Sequence, residues 1–216
     1  MNEVRGNPVG GIVADQFVVC GGWNADALKL HDKVAFHRRT KKNVLSSCEK
    51  YSLSKNSWLQ AASMSTPRRN AASAVFDNKL YIFGGQDDNG EHLDSAEVYD
   101  PSTDSFTPLP PMQHKRRSCA AAILNDSIVV CGGSDFFRLN SCEKYETGTF
   151  GWTKMGRMTS KRRGLTLSVI GNELYAVGGD FFQKTVEVYD PVKDSWFEVG
   201  QLKVKRSFHG ACVLAG

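Results

Sequence analysis

The sequence predicts an all-β protein, a propeller of small four-stranded sheets, and two spacings carry that prediction. A 22-residue stretch, MSTPRRNAASAVFDNKLYIFGG from Met64, recurs as MQHKRRSCAAAILNDSIVVCGG from Met112 and MTSKRRGLTLSVIGNELYAVGG from Met158. A looser copy, MNEVRGNPVGGIVADQFVVCGG, begins at Met1, and in all four the Met precedes the first glycine of a Gly-Gly pair by 20 residues. Downstream an aromatic follows a Tyr by seven residues: Tyr51 to Trp58, Tyr99 to Phe106, Tyr145 to Trp152, Tyr189 to Trp196. Two fixed spacings held in register over units of 44 to 63 residues mark a solenoid, propeller or array.

Within the second unit each element has a local reason. AASAVF and KLYIFGG are short and rich in small and β-branched residues, and Asp77-Asn78 between them is a turn-forming pair, so they read as two antiparallel strands. SAEVYDP gives a third strand stopped by Asp100-Pro101. FTPLPPM gives a fourth, which tolerates proline because it lies at the outer edge of its sheet. A four-stranded sheet cannot bury both faces alone, so successive sheets stack face to face around an axis. The diglycine closes the second strand where a side chain would collide with a neighbour and where φ must be positive. The Tyr and Trp/Phe rings fill space between sheets, and their polar groups take partners from strand edges and turns.

Composition narrows the class. With 216 residues, 41% hydrophobic and 23% charged, the chain is globular rather than disordered. A net charge of +4 argues weakly for an acidic partner and not for nucleic acid. The sequence lacks an apolar run of about 18 residues, and MNEVRGNPVGG lacks the basic start and apolar block of a signal peptide, so no membrane association and a cytosolic or nuclear location are expected. The six cysteines avoid paired CxxC spacings; Cys20 and Cys131 precede a diglycine, while Cys48 and Cys142 stand three before the Tyr. They read as buried reduced thiols in strands rather than disulfides or zinc ligands.

The order Met-x-x-x-Arg, apolar strand, LYxxGG, ExYDP, then an aromatic resembles the kelch repeat, in the variant found in BTB-kelch (kelch-like) proteins. The resemblance covers nearly the whole chain, with Gly-Gly at 21–22, 84–85, 132–133 and 178–179. Unit 1 departs by an insertion between Gly22 and Tyr51, unit 2 has Phe106 for Trp, and units 1 and 3 lack Asp-Pro after the Tyr. The expected architecture is a kelch propeller of four four-stranded blades, 1–63, 64–111, 112–157 and 158–201, with 202–216 as the first strand of a fifth. Kelch-like propellers usually have six blades, so the resemblance implies an incomplete ring and a fragment; a closed four-bladed ring is the alternative.

Function is expected at one end of the propeller. The loop from second to third strand and the loop leading into the next blade emerge together, gathering Arg68, Arg116, Arg162 and Arg206 with Arg69, Arg117 and Arg163 beside the first three. Arginine forks bind carboxylates bidentately. In kelch-like proteins, arginines at the first of these positions contact acidic peptides, and the resemblance implies that role for Arg68, Arg116, Arg162 and Arg206; Arg5 also matches, followed by Gly6. The competing reading pairs each first Arg with Glu49, Glu97, Glu143 or Glu187, two before each Tyr, between neighbouring blades, and leaves the second Arg solvated. The basic run His37-Arg38-Arg39-Thr40-Lys41-Lys42 in the unit 1 insertion is either a partner patch, with Arg38 and Arg39 at its centre, or a solvated loop. Phe136-Phe137 and Phe181-Phe182, after the diglycines of units 3 and 4, are candidate anchors unless one of each pair folds back into its blade.

Kelch-type propellers include copper oxidases and sugar epimerases, but the five histidines follow no ligand spacing and no nucleophile motif, carboxylate pair or phosphate loop stands out. The sequence therefore predicts a non-catalytic module without cofactor that binds a protein or acidic peptide. The resemblance implies the substrate-recognition part of a cullin ubiquitin ligase adaptor, reaching the cullin only through a BTB domain; actin or cytoskeletal scaffolding is the alternative.

Overall fold

The computed structural model describes residues 1–25, 42–149 and 151–213. Blade 1 contains β1 (Val9–Val13), β2 (Gln16–Cys20), a ribbon of β3 (Trp23–Ala25) with β4 (Lys42–Val44), then β5 (Cys48–Ser52) and β6 (Ser57–Ala61), ordered β1-β2-β5-β6. Blade 2 is the plain repeat: β7 (Ala72–Phe76), β8 (Lys79–Phe83), β9 (Ala96–Asp100) and β10 (Ser105–Leu109) pair in sequence order. Blade 3 inserts a ribbon, β13 (Ser134–Asp135) with β14 (Phe137–Arg138), into the sheet of β11 (Ala120–Leu124), β12 (Ser127–Cys131), β15 (Cys142–Glu146) and β16 (Trp152–Met155). Blade 4 is β17 (Thr166–Ile170), β18 (Glu173–Val177), β19 (Thr185–Asp190) and β20 (Ser195–Gln201). All pairings in the four sheets are antiparallel, as short hairpin connections require.

Sequence chemistry fixes these hairpins. The first turns of blades 1 to 3 place Ala14-Asp15, Asp77-Asn78 and Asn125-Asp126 at φ between 46° and 58°, the type I′ geometry that Asn and Asp tolerate and that matches strand twist. Pro108 sits in β10, an edge strand, where its missing N–H costs no ladder bond.

Blades 2 and 3 bury both faces against their neighbours, and blades 1 and 4 each bury one face in the same series of cores. Leu80, Ile82 and Tyr99 of blade 2 pack on Val13, Val18, Cys20 and Cys48 of blade 1. The opposite face of blade 2, with Ala74, Tyr81 and Phe83, meets Ile128, Val130, Tyr145 and Trp152. Blade 3 then offers Leu124, Val129 and Met155 to Leu174, Ala176, Tyr189 and Trp196. The aromatics find the predicted polar partners: Trp152 Nε1 donates to Pro110 O at 2.9 Å, Trp196 Nε1 to Gly156 O at 3.0 Å, and the Tyr99 and Tyr189 hydroxyls to Asp104 and Asp194 at 2.6 Å.

A second set of bonds runs around the axis. The amides of Asn70, Ser118, Gly164 and Phe208 donate to the carbonyls of Asn7, Asn70, Ser118 and Gly164, one blade back in each case, and all five residues have φ between 52° and 63°. Phe208 thus takes the place that opens a blade, but residues 202–213 form no strand, so the first strand expected there is absent among the described residues. An inner strand is held by its own second strand, and among the described residues no such strand stands beside this segment. Among the described residues there is no helix long and apolar enough to cross a membrane.

Candidate functional site

The motif arginines resolve into two groups with opposite surroundings. Arg68, Arg116 and Arg162 are no more than 1% exposed. Arg116 donates from Nε to Glu143 (3.1 Å), from Nη1 to the carbonyls of Gly132 (2.7 Å) and Ser141 (2.9 Å), and from Nη2 to Ser141 Oγ (2.8 Å) and Glu143 (2.9 Å). That uses all five N–H donors of a guanidinium. Arg68 repeats the pattern with Gly84, Ser95 and Glu97, Arg162 with Gly178, Thr185 and Glu187, and Arg5 with Gly21, Ser47 and Glu49.

This corrects the expectation that Arg68, Arg116 and Arg162 contact a peptide: buried and donor-saturated, they have nothing left to offer. It also corrects the alternative in one respect, because each Arg pairs with the Glu of its own blade, not of a neighbour. The Glu carboxylates additionally accept the lead-in amides Ser65, Gln113 and Thr159 at 2.6–2.8 Å, which pins the segment carrying the Arg. Arg206 differs. Its side chain is exposed and, among the described residues, has no carboxylate partner.

The neighbouring arginines, Arg69, Arg117 and Arg163, are half-buried and gather near the axis. Their backbones are fixed by the residue after the diglycine of their own blade: Arg69 exchanges both backbone bonds with Gln86 and Arg117 with Ser134, while Asp180 N–H donates to Arg163 O at 2.7 Å. The side chains are under-partnered. Arg117 makes only long bonds to Ser134 Oγ (3.4 Å) and Gln86 Oε1 (3.3 Å), and the Nε atoms of Arg69 and Arg163 are buried without an acceptor. Among the described residues none of the three forms an ion pair. Burial, then the charges of Arg163 and Arg69, holds the Arg117 guanidinium below its usual pKa. The expectation that the second Arg is merely solvated is therefore also corrected: three like charges share a partly desolvated place, and among the described residues none is ion-paired.

All four phenylalanines are exposed, Phe136 at 87%, Phe137 at 79%, Phe181 at 66% and Phe182 at 70%, so no member of either pair folds back. Phe136, at φ 52°, turns outward at the tip of the β13–β14 ribbon, and its amide donates to His92 Nδ1 of blade 2 at 3.4 Å. Phe136, Phe137, Arg138, Lys161 and Arg163, with Ser134, line a groove of about 370 Å³. Arg138 reaches across to the buried carboxylate of Asp180 in blade 4, which also accepts the Phe181 amide at 2.8 Å, so the two Phe-bearing loops are tied together. Lys205 Nζ stands 5.5 Å over the Phe182 ring.

Sequence reasoning missed Arg138, Lys161 and His92. Lys161 was legible as the repeated Lys-Arg-Arg run at 115–117 and 161–163, whereas Arg138 and His92 lie in loops of irregular length that no repeat constrains. Arg38 and Arg39 lie outside the described residues. No group of three His, Cys, Asp or Glu side chains placed to hold a metal ion occurs among the described residues.

Four stacked blades with under-partnered cations and exposed aromatics at one end define a protein-interaction propeller. A family described as the KLHDC2/KLHL20/DRC7 Kelch-repeats domain matches residues 11–179, a Kelch motif matches residues 161–203, and the chain belongs to this kelch-repeat family. No curated protein matches it in sequence. A solved structure titled "Structure of YjhT" superposes with a TM-score of 0.80 at 14% identity, covering 94% of this chain and 73% of that one, a likeness of fold.

Proposed function

We propose that the loop end of this propeller captures an acidic peptide segment of a partner protein, with an apolar side chain of that segment seated between the phenylalanines. The observation that supports it is the juxtaposition of Arg69, Arg117 and Arg163, which have no carboxylate partner among the described residues, with four exposed aromatic rings. A carboxylate supplied from outside completes the guanidiniums by charge-assisted hydrogen bonds. Burying an aromatic anchor supplies the affinity that surface charge alone does not. Arg206 and Lys161, both exposed, extend the basic rim.

The test is selection of binding peptides from a random display library on the folded chain. Enrichment of Asp and Glu beside an apolar residue is expected, with binding that weakens steeply with salt and is lost in the Phe136→Ser/Phe137→Ser variant. Selected peptides without acidic bias, or with unchanged affinity for that variant, sink the proposal. The resemblance to kelch-like proteins further supports a role in presenting the captured partner to a cullin ubiquitin ligase through a BTB domain. If so, blocking cullin activation prolongs the lifetime of a reporter fused to a selected peptide; an unchanged lifetime contradicts it.

A further inference from the structure

Two cysteine pairs face each other across adjacent strands. Cys20 of β2 opposes Cys48 of β5, and Cys131 of β12 opposes Cys142 of β15. Blades 2 and 4 have Phe83 with Ala96 and Val177 with Val186 in the same register, so the pairs are not a demand of the repeat. The flanking bonds identify the pair type: Gly21 N–H donates to Ser47 O (3.0 Å) and Gly132 N–H to Ser141 O (3.1 Å), one residue beyond each cysteine on one strand and one before it on the other. Each pair is therefore non-hydrogen-bonded, a position whose Cα atoms stand about 4.5 Å apart. That lies at the short end of the range of about 4.4–6.8 Å that a disulfide spans, so a bridge forms there without backbone movement but not in its relaxed geometry. All four residues are buried and are free thiols in the structure.

The position of the second pair gives it consequence. Cys131 and Cys142 close the base of residues 132–141, the loop that carries Phe136, Phe137 and Arg138, and Ser141 beside Cys142 is an acceptor of Arg116. Cys20 and Cys48 stand at the base of the corresponding loop of blade 1, beside Gly21 and Ser47 that receive Arg5.

We infer that Cys131–Cys142 and Cys20–Cys48 are reversible dithiol switches that a hydroperoxide converts to cross-strand disulfides clamping the bases of these loops. One thiol, as thiolate, attacks a peroxide oxygen; the O–O bond breaks and a sulfenic acid forms. The facing thiol then displaces water from that sulfur as the S–S bond forms, so with hydrogen peroxide two thiols lose two electrons and two protons and two waters are released. Burial pushes the thiols of Cys20 and Cys131 well above their usual pKa, which makes the reaction slow and dependent on local opening of the blade. A bridge short of its relaxed geometry is easily reduced, the property of a labile rather than a structural disulfide.

The experiment treats the folded Cys212→Ser chain, which lacks the exposed thiol, with hydrogen peroxide below its unfolding transition, followed by intact-mass and non-reducing peptide mapping. The mass falls by two hydrogens per bridge, the peptides map to Cys131–Cys142 and Cys20–Cys48, and a glutathione buffer that leaves a structural disulfide intact restores the thiols. The Cys131→Val/Cys142→Val variant, which installs the residues of blade 4, retains the fold and loses only the first bridge. Bridges that appear only once the chain unfolds, oxidation that stops at sulfinic acid, or scrambled pairing with Cys119 overturns the inference.

Discussion

The Arg116 guanidinium and the Glu143 carboxylate meet inside blade 3 at 2.9 Å, while the carbonyl of the same Arg116 reaches back to blade 2 and accepts the Gly85 amide at 2.8 Å. The same arrangement recurs at Arg68 with Glu97 and Gly22 and at Arg162 with Glu187 and Gly133. One motif residue thus ties its own sheet together through its side chain and fastens that sheet to the preceding one through its backbone.

Removing one charge of the pair leaves the other buried and uncompensated. Glu143→Gln is expected to destabilise the chain by about 3–5 kcal/mol, the usual cost of breaking a buried ion pair from one side. Denaturant titration reads this as a lowered midpoint with an unchanged slope. An unchanged midpoint would show that the pair is solvated in solution.

Gly84 sits at φ 60°, and a β-carbon there stands 2.2 Å from the Arg116 carbonyl oxygen. That oxygen is backbone held by the Gly85 amide and cannot give way. Gly171 has the same φ of 60° with nothing within 4 Å, so it isolates the conformational cost alone, about 1–2 kcal/mol for an L-residue. Gly84→Ala is expected to lower the thermal midpoint well beyond Gly171→Ala; equal effects would mean that the blades do not approach this closely.

The exposed phenylalanines contribute little to the fold. Phe136→Ser/Phe137→Ser and Phe181→Ser/Phe182→Ser are each expected to keep stability within about 0.5 kcal/mol, the usual range for surface changes. They are also expected to reduce binding of a hydrophobic dye to the native chain. Loss of stability in either variant would place the rings in a core instead.

His92 gives the loop end a pH dependence. Burial, then Arg117, holds its pKa below the ordinary value against the opposing pull of Asp135 and Glu91, and its neutral Nδ1 accepts the Phe136 amide. The unfolded chain binds a proton at His92 near pH 6.5, and the folded chain resists it. Stability is therefore full above that value and falls as pH drops through it, because the unfolded state binds more protons. His92→Gln is expected to flatten the decline in melting midpoint between about pH 6.5 and 5. His209, depressed by burial and Arg206, retains a slope of the same sign. A variant as steep as the parent contradicts this assignment.

Much of the fold was legible because the repeat states each requirement four times: the two-residue turn between the first two strands, the diglycine, the Tyr with its aromatic seven residues on. The segment 202–216 reads by sequence as the first strand of a fifth blade, yet residues 202–213 join no ladder among the described residues. The site was harder. Residues 162 and 163 are adjacent arginines with identical chemistry, and only the backbone's alternation decides that Arg162 turns into the sheet toward Glu187 while Arg163 faces the axis. Periodicity marked both as exceptional and could not say which one serves the fold. The Phe pairs were legible as anchors because two consecutive aromatics after a diglycine interrupt the repeat rather than extend it.

The most direct test compares charge reversal at those two adjacent residues, reading thermal midpoint and affinity for a selected acidic peptide side by side. Arg162→Glu is expected to unfold the chain or lower its midpoint sharply, and Arg163→Glu to keep the midpoint and abolish peptide binding. Contradiction comes from the reverse: a stable Arg162→Glu chain that no longer binds, or an Arg163→Glu chain that melts early and still binds when folded.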